Sequence, residues 1–481
     1  MNSELLSQVL GCKSLPSLPA VAVRVIELTS DKNVRLAELA QTIQHDQGLS
    51  AKVLRTVNSS FYGIRTRCST IDRAIVMLGL SPVKTLALGF SLVSTIAEKA
   101  DEHFDLVAYW RRGLYSAVAA KVVAEAAKFP RADEAFLAAL LQDVGVMAMY
   151  LSIKAEYRKV LAETGGDHAK LARAELAAFE LQHPEIGAML CERWRLPDEL
   201  VVPVRYHERP TAAPVEHATL THCVAFGNLV HDALSLPDPT PAIRRMYTRG
   251  NEWFQLDTST VDAVLKRAGN SVKEMSNLFK LDTGPFPSVD AVLEVASKRR
   301  AESEKTVRVG DDSGLNALLV DSGEHDALTG LVGRIGFDQA LRGAMTPRNA
   351  RASVCLVKVV LEGLREYQSR FGEIAADDAL VGVAAVIAHA FHGKQATVCR
   401  LGGELFAVVA EGCALSEVSE RMESLKREVA SQSTVGDFGP LKISVGLAST
   451  DTGLTSAEEL VRAAVRALQN GRETGRMKIA A

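Results

Sequence analysis

The chain has 481 residues, 47% of them apolar and 23% charged, with a formal net charge of −3. At about 150 residues per domain this length predicts roughly two to four domains, and the near-neutral balance gives the whole chain no electrostatic basis for binding nucleic acid. Seven cysteines are scattered, odd in number and without a CxxC pair, which excludes a disulfide framework or zinc finger as the organising element and fits reduced thiols in a cytoplasmic protein.

Val9-Leu10-Gly11-Cys12 has the outline of a lipid-attachment box, but Glu4 and Gln8 interrupt the apolar stretch and no Lys or Arg precedes it. No leader is expected. Residues 1–285 are predicted to be nearly all helical. Leu36, Leu39, Ala40 and Ile43 fall at i, i+3, i+4 and i+7, one apolar face of a helix. Ala74–Ala97 is apolar enough to suggest a membrane span, yet Pro82 and Lys84 sit in its middle, so a pair of core helices is expected instead. Helical spacing continues through Ala117–Ala127 and Phe136–Leu151. Asn58-Ser59-Ser60 is read as a helix end and polar turn rather than a nucleophile, and His217 and His222 as ordinary helix residues.

Gly284-Pro285-Phe286-Pro287 breaks the pattern, and Ser288 is a good N-cap for a helix carrying Val289, Val292, Leu293 and Ala296. Residues 286–325 are therefore expected to be a linker. It is charged from Lys298 to Arg308 and polar over Gly310–His325, and its helix offers a route to a homodimer. From residue 326 the period changes. Short apolar runs at Val354–Val360, Leu405–Val409 and Leu441–Leu447 alternate with helical patterns at Asp377–Phe391, Ala414–Ala430 and Ala457–Gln469, which predicts an α/β domain over 326–481.

Ordered motifs run through the first 250 residues: Leu15-Pro16-Ser17-Leu18-Pro19, Asp46-Gln47-Gly48-Leu49-Ser50, Val57-Asn58-Ser59-Ser60-Phe61-Tyr62-Gly63, Leu140-Leu141-Gln142-Asp143-Val144-Gly145, His183-Pro184-Glu185-Ile186-Gly187 and His207. In these the region resembles the HDOD family, an all-α fold related to HD-type metal phosphohydrolases that usually lacks their metal site. Gln142-Asp143 stands where those enzymes place His-Asp, and Trp110-Arg111-Arg112-Gly113 stands where their first His is expected. Asp143, His183 and His207 survive as vestigial candidates that would bind a metal only if they converged. Gln142 is a poor ligand and Arg112 would repel a cation, so the expectation is hydrogen-bonded core groups and no metal.

The C-terminal segment resembles the GGDEF family of diguanylate cyclases. Asp326-Ala327-Leu328-Thr329-Gly330-Leu331 matches its opening motif, and Arg400-Leu401-Gly402-Gly403-Glu404-Leu405-Phe406 matches its signature turn with Leu405 at the second acidic position. The resemblance implies an α/β nucleotide-cyclase-like fold, a central sheet flanked by helices. It also locates the losses. The first metal-binding Asp of the family is Val360, the guanine-reading Asn is Gln368, and the product-inhibition positions are Gly393 and Ala396. Glu404 keeps one metal position, Asp377 keeps the guanine partner, and Arg472 and Arg476 occupy the phosphate-contacting positions.

The expected architecture is thus multidomain: an all-α HDOD-like module over 1–285, the linker, and a degenerate GGDEF domain. The expected function is a non-catalytic cytoplasmic regulator that works through other signalling proteins, with no catalytic residues, no cofactor, and neither a membrane nor a nucleic-acid partner. A second expectation is GTP binding without turnover, with magnesium, on Gln368, Asp377, Gly402, Gly403, Glu404, Arg472 and Arg476. Weak residual cyclase or metal phosphohydrolase activity is the third.

Overall fold

The structure is a computed structural model; it describes residues 3–30, 36–97, 101–165, 168–236, 238–285, 288–294, 326, 328–346, 353–391, 395–432, 441–474 and 478–479. The chain divides into two compact units, Met1–Ala301 and Glu302–Ala481. The charged stretch Lys298–Arg308 and the joint Gly310–His325 lie outside the described residues.

The first unit is helical and centres on Leu106–Ala126. Its sequence has little amphipathic bias because the helix is covered nearly all round, by Ala132–Leu141, Val215–Ser235 and Thr258–Phe279. The region around Ala74–Ala97 forms two helices, Ile71–Leu78 and Leu80–Ala97, divided at Gly79 with φ +92°. Pro82 sits in the first turn of the second, where its missing N–H is harmless. Asp46 caps Gln47–Val57 by accepting from the Leu49 N–H at 2.9 Å. At the other end Asn58 clamps a ten-residue loop: its amide donates to Leu54 O and Cys68 O and accepts from Cys68 N, each at 2.7 Å. Ser60, beside which the sequence shows no base, donates to Glu274. Val289, expected on the linker helix, packs into this unit's core. Among the described residues one stretch, Ala132–Ser152, is long and apolar enough to cross a membrane; its most apolar 18 residues have mean hydropathy 1.5, and 89% of them are buried inside the unit.

The helical spacing through Phe136–Leu151 belongs to two helices, Ala132–Leu141 and Val144–Ser152, divided at Gln142-Asp143.

In the second unit β1 (Val354–Glu362), β2 (Ala396–Gly402), β3 (Leu405–Glu411), β4 (Lys442–Ser449) and β5 (Lys478–Ile479) form one sheet in the order β2-β3-β1-β4-β5. Pairing is antiparallel except between β4 and β5. Central β1 is buried on both faces, which explains its unbroken apolar run. The helices Arg334–Ala344 and Ala457–Thr474 share a core with residues of β1 and β3, including Phe337, Leu356, Val409 and Leu460. Leu364–Phe371, Glu373–Ala390 and Leu415–Gln432 complete the unit. Sequence periodicity did not show β2, a half-exposed edge strand.

Candidate functional site

In the first unit the helix break delivers Asp143 to a buried polar cluster. Gly145 lets the backbone of His183–Arg193 come close: a Cβ on Gly145 would lie 1.9 Å from His183 O. His207 follows the end of Asp198–Tyr206. The three residues singled out in the sequence do converge. His183 Nε2 and His207 Nε2 are 3.2 Å apart, and they lie 3.5 and 3.4 Å from Asp143 Oδ1. Each imidazole is oriented from behind: His183 Nδ1 donates to Glu175 Oε2 at 2.8 Å and His207 Nδ1 to Val204 O at 2.7 Å. Tyr157 donates to the other oxygen of Glu175. These bonds place a proton on each Nδ1 and turn each Nε2 toward Asp143.

Sequence reasoning missed most of the surrounding shell. Arg112 is buried at its centre, with Nε 3.2 Å from Asp143 Oδ2, Nη2 3.4 Å from Glu208 Oε1 and Nη1 3.4 Å from Asp232 Oδ1. His168 links two of these acids, Nδ1 to Glu208 Oε1 at 3.0 Å and Nε2 to Asp143 Oδ1 at 3.3 Å. Burial and the Arg112 charge push the His168 pKa down, but Asp143 and Glu208 outweigh them and raise it to about 9. Burial pushes Glu208 up, while His168, His207 and Arg112 together hold it lower, at about 2. Burial likewise opposes ionisation of Asp143, which its cationic and imidazole neighbours hold well below the usual carboxylate range. Gln142 turns away to donate to Asn228 Oδ1 at 2.6 Å. The adjacent His207-Glu208 pair was a usable sequence signal; nothing in the chain order points to His168.

In the second unit the β2–β3 hairpin turns at Gly402 and Gly403, with φ of +117° and +52°, where side chains would be strained. Arg400 braces this turn. Its guanidinium donates to both oxygens of Asp326, at 2.9 and 3.0 Å, and to Gly403 O at 2.9 and 3.1 Å. Asp326 also accepts from the Thr329 N–H and hydroxyl at 2.8 and 2.7 Å. The opening motif and the signature turn are therefore one bonded assembly.

Beside the turn lies a cavity of about 400 Å³ whose lining includes Lys358, Val360, Gly402, Gly403, Glu404, Leu405 and Arg472. Four of the sequence-predicted residues thus share one cavity. Gln368 and Asp377 lie on Leu364–Phe371 and Glu373–Ala390 and are not in its lining. Arg476 and Gly393 lie outside the described residues. Arg472 is engaged by Glu362, with Nε 2.8 Å from Oε1 and Nη2 3.0 Å from Oε2. Lys358 is 6% exposed and sits 4.5 Å above the Phe337 ring. Burial lowers its pKa from 10.5 to about 8. The residues do not fit a magnesium pair: Val360 has no ligand atom, Glu362 is held by Arg472, and Glu404 is the one carboxylate among the lining residues.

A helical unit with a buried His/Asp cluster is followed by an α/β unit with a glycine hairpin beside a cavity. The chain carries an HDOD domain, matched over residues 15–210, and a GGDEF domain of the diguanylate cyclase family, matched over residues 323–478. An uncharacterized protein of Treponema pallidum (strain Nichols) is 26% identical over 236 residues, covering 48% of this chain and 45% of that protein, so the chain spans less than half the length of this curated relative. An HDOD domain protein from Geobacter sulfurreducens is similar at 23% identity and a TM-score of 0.46, covering 58% of this chain and 99% of its own. The GGDEF domain of DgcB from Caulobacter crescentus, crystallised in complex with c-di-GMP, is similar at 27% identity and a TM-score of 0.31, covering 35% of this chain and 98% of its own.

Proposed function

We propose that this protein is a non-catalytic regulator in cyclic-di-GMP signalling. Its HDOD domain engages other signalling proteins, and its GGDEF domain has kept the fold while losing the cyclase reaction. The observation that carries this reading is Val360 on β1 set opposite Leu405 on β3 at the wall of the cavity. Joining two GTP molecules requires a 3′-hydroxyl to attack an α-phosphate while magnesium neutralises the developing charge. Such an ion is held by one or two carboxylates together with the phosphates, and here Glu404 alone offers one to the cavity. Full-length protein supplied with GTP and magnesium should form neither cyclic-di-GMP nor the linear dinucleotide intermediate. Sustained turnover discards the reading.

The cavity also favours a second reading, GTP binding without turnover. It has room for part of a nucleotide, and Lys358, Arg472 and the turn amides line it. Calorimetry with GTP, with and without magnesium, tests this; the absence of any binding heat or competition in either condition removes it.

A further inference from the structure

We propose that the cavity beside the hairpin holds the phosphate chain of a nucleoside triphosphate without a metal ion, and that the Lys358 ammonium supplies the positive charge an ion would bring. This deepens the second reading above, GTP binding without turnover, and rests on it. Side chains alternate along a strand, so Lys358, Val360 and Glu362 share one face of β1. Val360 stands where the cyclase resemblance expects a metal ligand, and it has no ligand atom. Two residues earlier on the same face, in the wall of the same cavity, stands a cation. The site thus lacks a carboxylate that would draw a metal and has a fixed positive charge beside the gap.

That charge has no counterion. Arg112, Lys121 and Arg400 are buried too, and each meets a carboxylate, Asp143 at 3.2 Å, Asp133 at 2.6 Å and Asp326 at 2.9 Å. Lys358 is 6% exposed and forms no ion pair or hydrogen bond through its ammonium with any described residue. Its ammonium meets the Phe337 ring, 4.5 Å away. A ring face offsets part of the cost of burying an ammonium, but it leaves three N–H donors without oxygen acceptors. An unpaired buried charge in a cavity wall is relieved by an anion in that cavity.

The rest of the lining suits phosphate. A lysine ammonium binds phosphate oxygens as a point charge. Arg472 belongs to the same lining, and its pair with Glu362 is partly exposed; such pairs contribute little, so a phosphate can compete for the guanidinium. A Cβ added at Gly402 or Gly403 would meet nothing within 4 Å, which leaves the turn backbone open to a ligand. Leu405 and Leu468 add apolar surface that strengthens the ammonium–phosphate attraction. Glu404, the one carboxylate in the lining, opposes an anion that arrives without a metal, and Lys358 and Arg472 offset it.

The test is calorimetry on the full-length chain at pH 7 with GTP, in EDTA and in excess magnesium, followed by displacement with pyrophosphate. The expected result is GTP bound at least as tightly in EDTA as in magnesium, and displaced by pyrophosphate. Lys358→Met should weaken binding in EDTA by roughly tenfold or more, and Glu404→Gln, which removes the opposing charge, should tighten it by roughly threefold. Binding that needs magnesium overturns this inference and leaves the GTP reading standing. So does metal-free binding that folded Lys358→Met retains, or that pyrophosphate fails to displace. GTP that binds in neither condition overturns both. Should Lys358→Met fail to fold, the magnesium comparison and Glu404→Gln decide, and weaker binding of GTP to Glu404→Gln in EDTA overturns the inference.

Discussion

Val360 and Leu405 are cross-strand partners in the register of β1 against β3. Both belong to positions that the cyclase resemblance makes acidic, so two losses that look separate in the sequence are one apolar contact in the fold. Cross-strand pairs of this kind contribute about 0.2–1 kcal/mol, and the pairing makes each change the context for the other. Val360→Asp alone sets a carboxylate against Leu405 at a position only 6% exposed; it should lower stability by about 1–3 kcal/mol in urea denaturation and leave the protein without turnover. Val360→Asp combined with Leu405→Glu should instead create magnesium-dependent GTP affinity, roughly tenfold or about 1.4 kcal/mol over wild type by calorimetry. A double variant whose GTP binding ignores magnesium would show that these carboxylates are not what the pocket lacks.

The bridge from Asp326 through Arg400 to Gly403 explains why the signature turn persists without its chemistry. Arg400 is 9% exposed and satisfies both a carboxylate and a turn carbonyl. Truncating one partner of such a buried pair strands the other, a loss of about 3–5 kcal/mol. Arg400→Ala should therefore destabilise the second unit by that amount and speed hydrogen exchange at the amides of residues 402–405. Arg400→Lys should recover little, because one ammonium cannot span the Asp326 carboxylate and Gly403 O in the guanidinium's planar fork. Recovery to wild-type stability in the lysine variant would reduce the bridge to a simple charge contact.

Much of this was legible in the chain. The α/β alternation gave β1, β3 and β4 because their runs are apolar and β-branched, and the three residues Asp143, His183 and His207 were legible as a possible set because each sits in an ordered motif. Their convergence was not, since it depends on the break at Gln142-Asp143 and on a backbone approach at Gly145. His168 carries no local signal at all; the fold alone brings it between Asp143 and Glu208. Arg112 was expected to repel a cation, yet its charge is spent on three carboxylates from outside its own helix. Lys358 carries a sequence signal as the single charge inside the apolar run Val354–Val360.

Lys358 should leave a mark on the pH dependence of stability. Its pKa falls from 10.5 to about 8, first through burial and further through Arg334, with Cys399 and Asp338 opposing. Below about pH 8 the ammonium is charged in both states and its full desolvation cost is present. Between that point and the unfolded value near 10.4 the unfolded chain binds more protons, so stability rises with pH, by at most about 1.4 kcal/mol per unit. Lys358→Met should be more stable than wild type at pH 7 and should lack this rise. The difference between the two denaturation series isolates the lysine from other titrating groups; parallel curves between pH 8 and 10 would mean that its ammonium is solvated.

Gly145 is the point where packing and the polar cluster meet. An added Cβ would fall 1.9 Å from His183 O and 2.8 Å from Gly187 N, both backbone atoms that cannot rotate away. Gly145→Ala must push Val144–Ser152 and His183–Arg193 apart, and that movement also separates Asp143 from His183. Overpacking of this kind costs about 1–3 kcal/mol or more. The expected outcome is a loss at the upper end of that range in chemical denaturation, together with shifted imidazole resonances of His183 and His207. Gly382→Ala is the matched control. Gly382 is exposed within Glu373–Ala390, and nothing lies within 4 Å of an added Cβ. Relief of the glycine's helix penalty should make that variant more stable by about 0.5–1 kcal/mol. Wild-type stability in Gly145→Ala would mean that the two helices can separate without cost, and the three-residue convergence built on their contact would lose its footing.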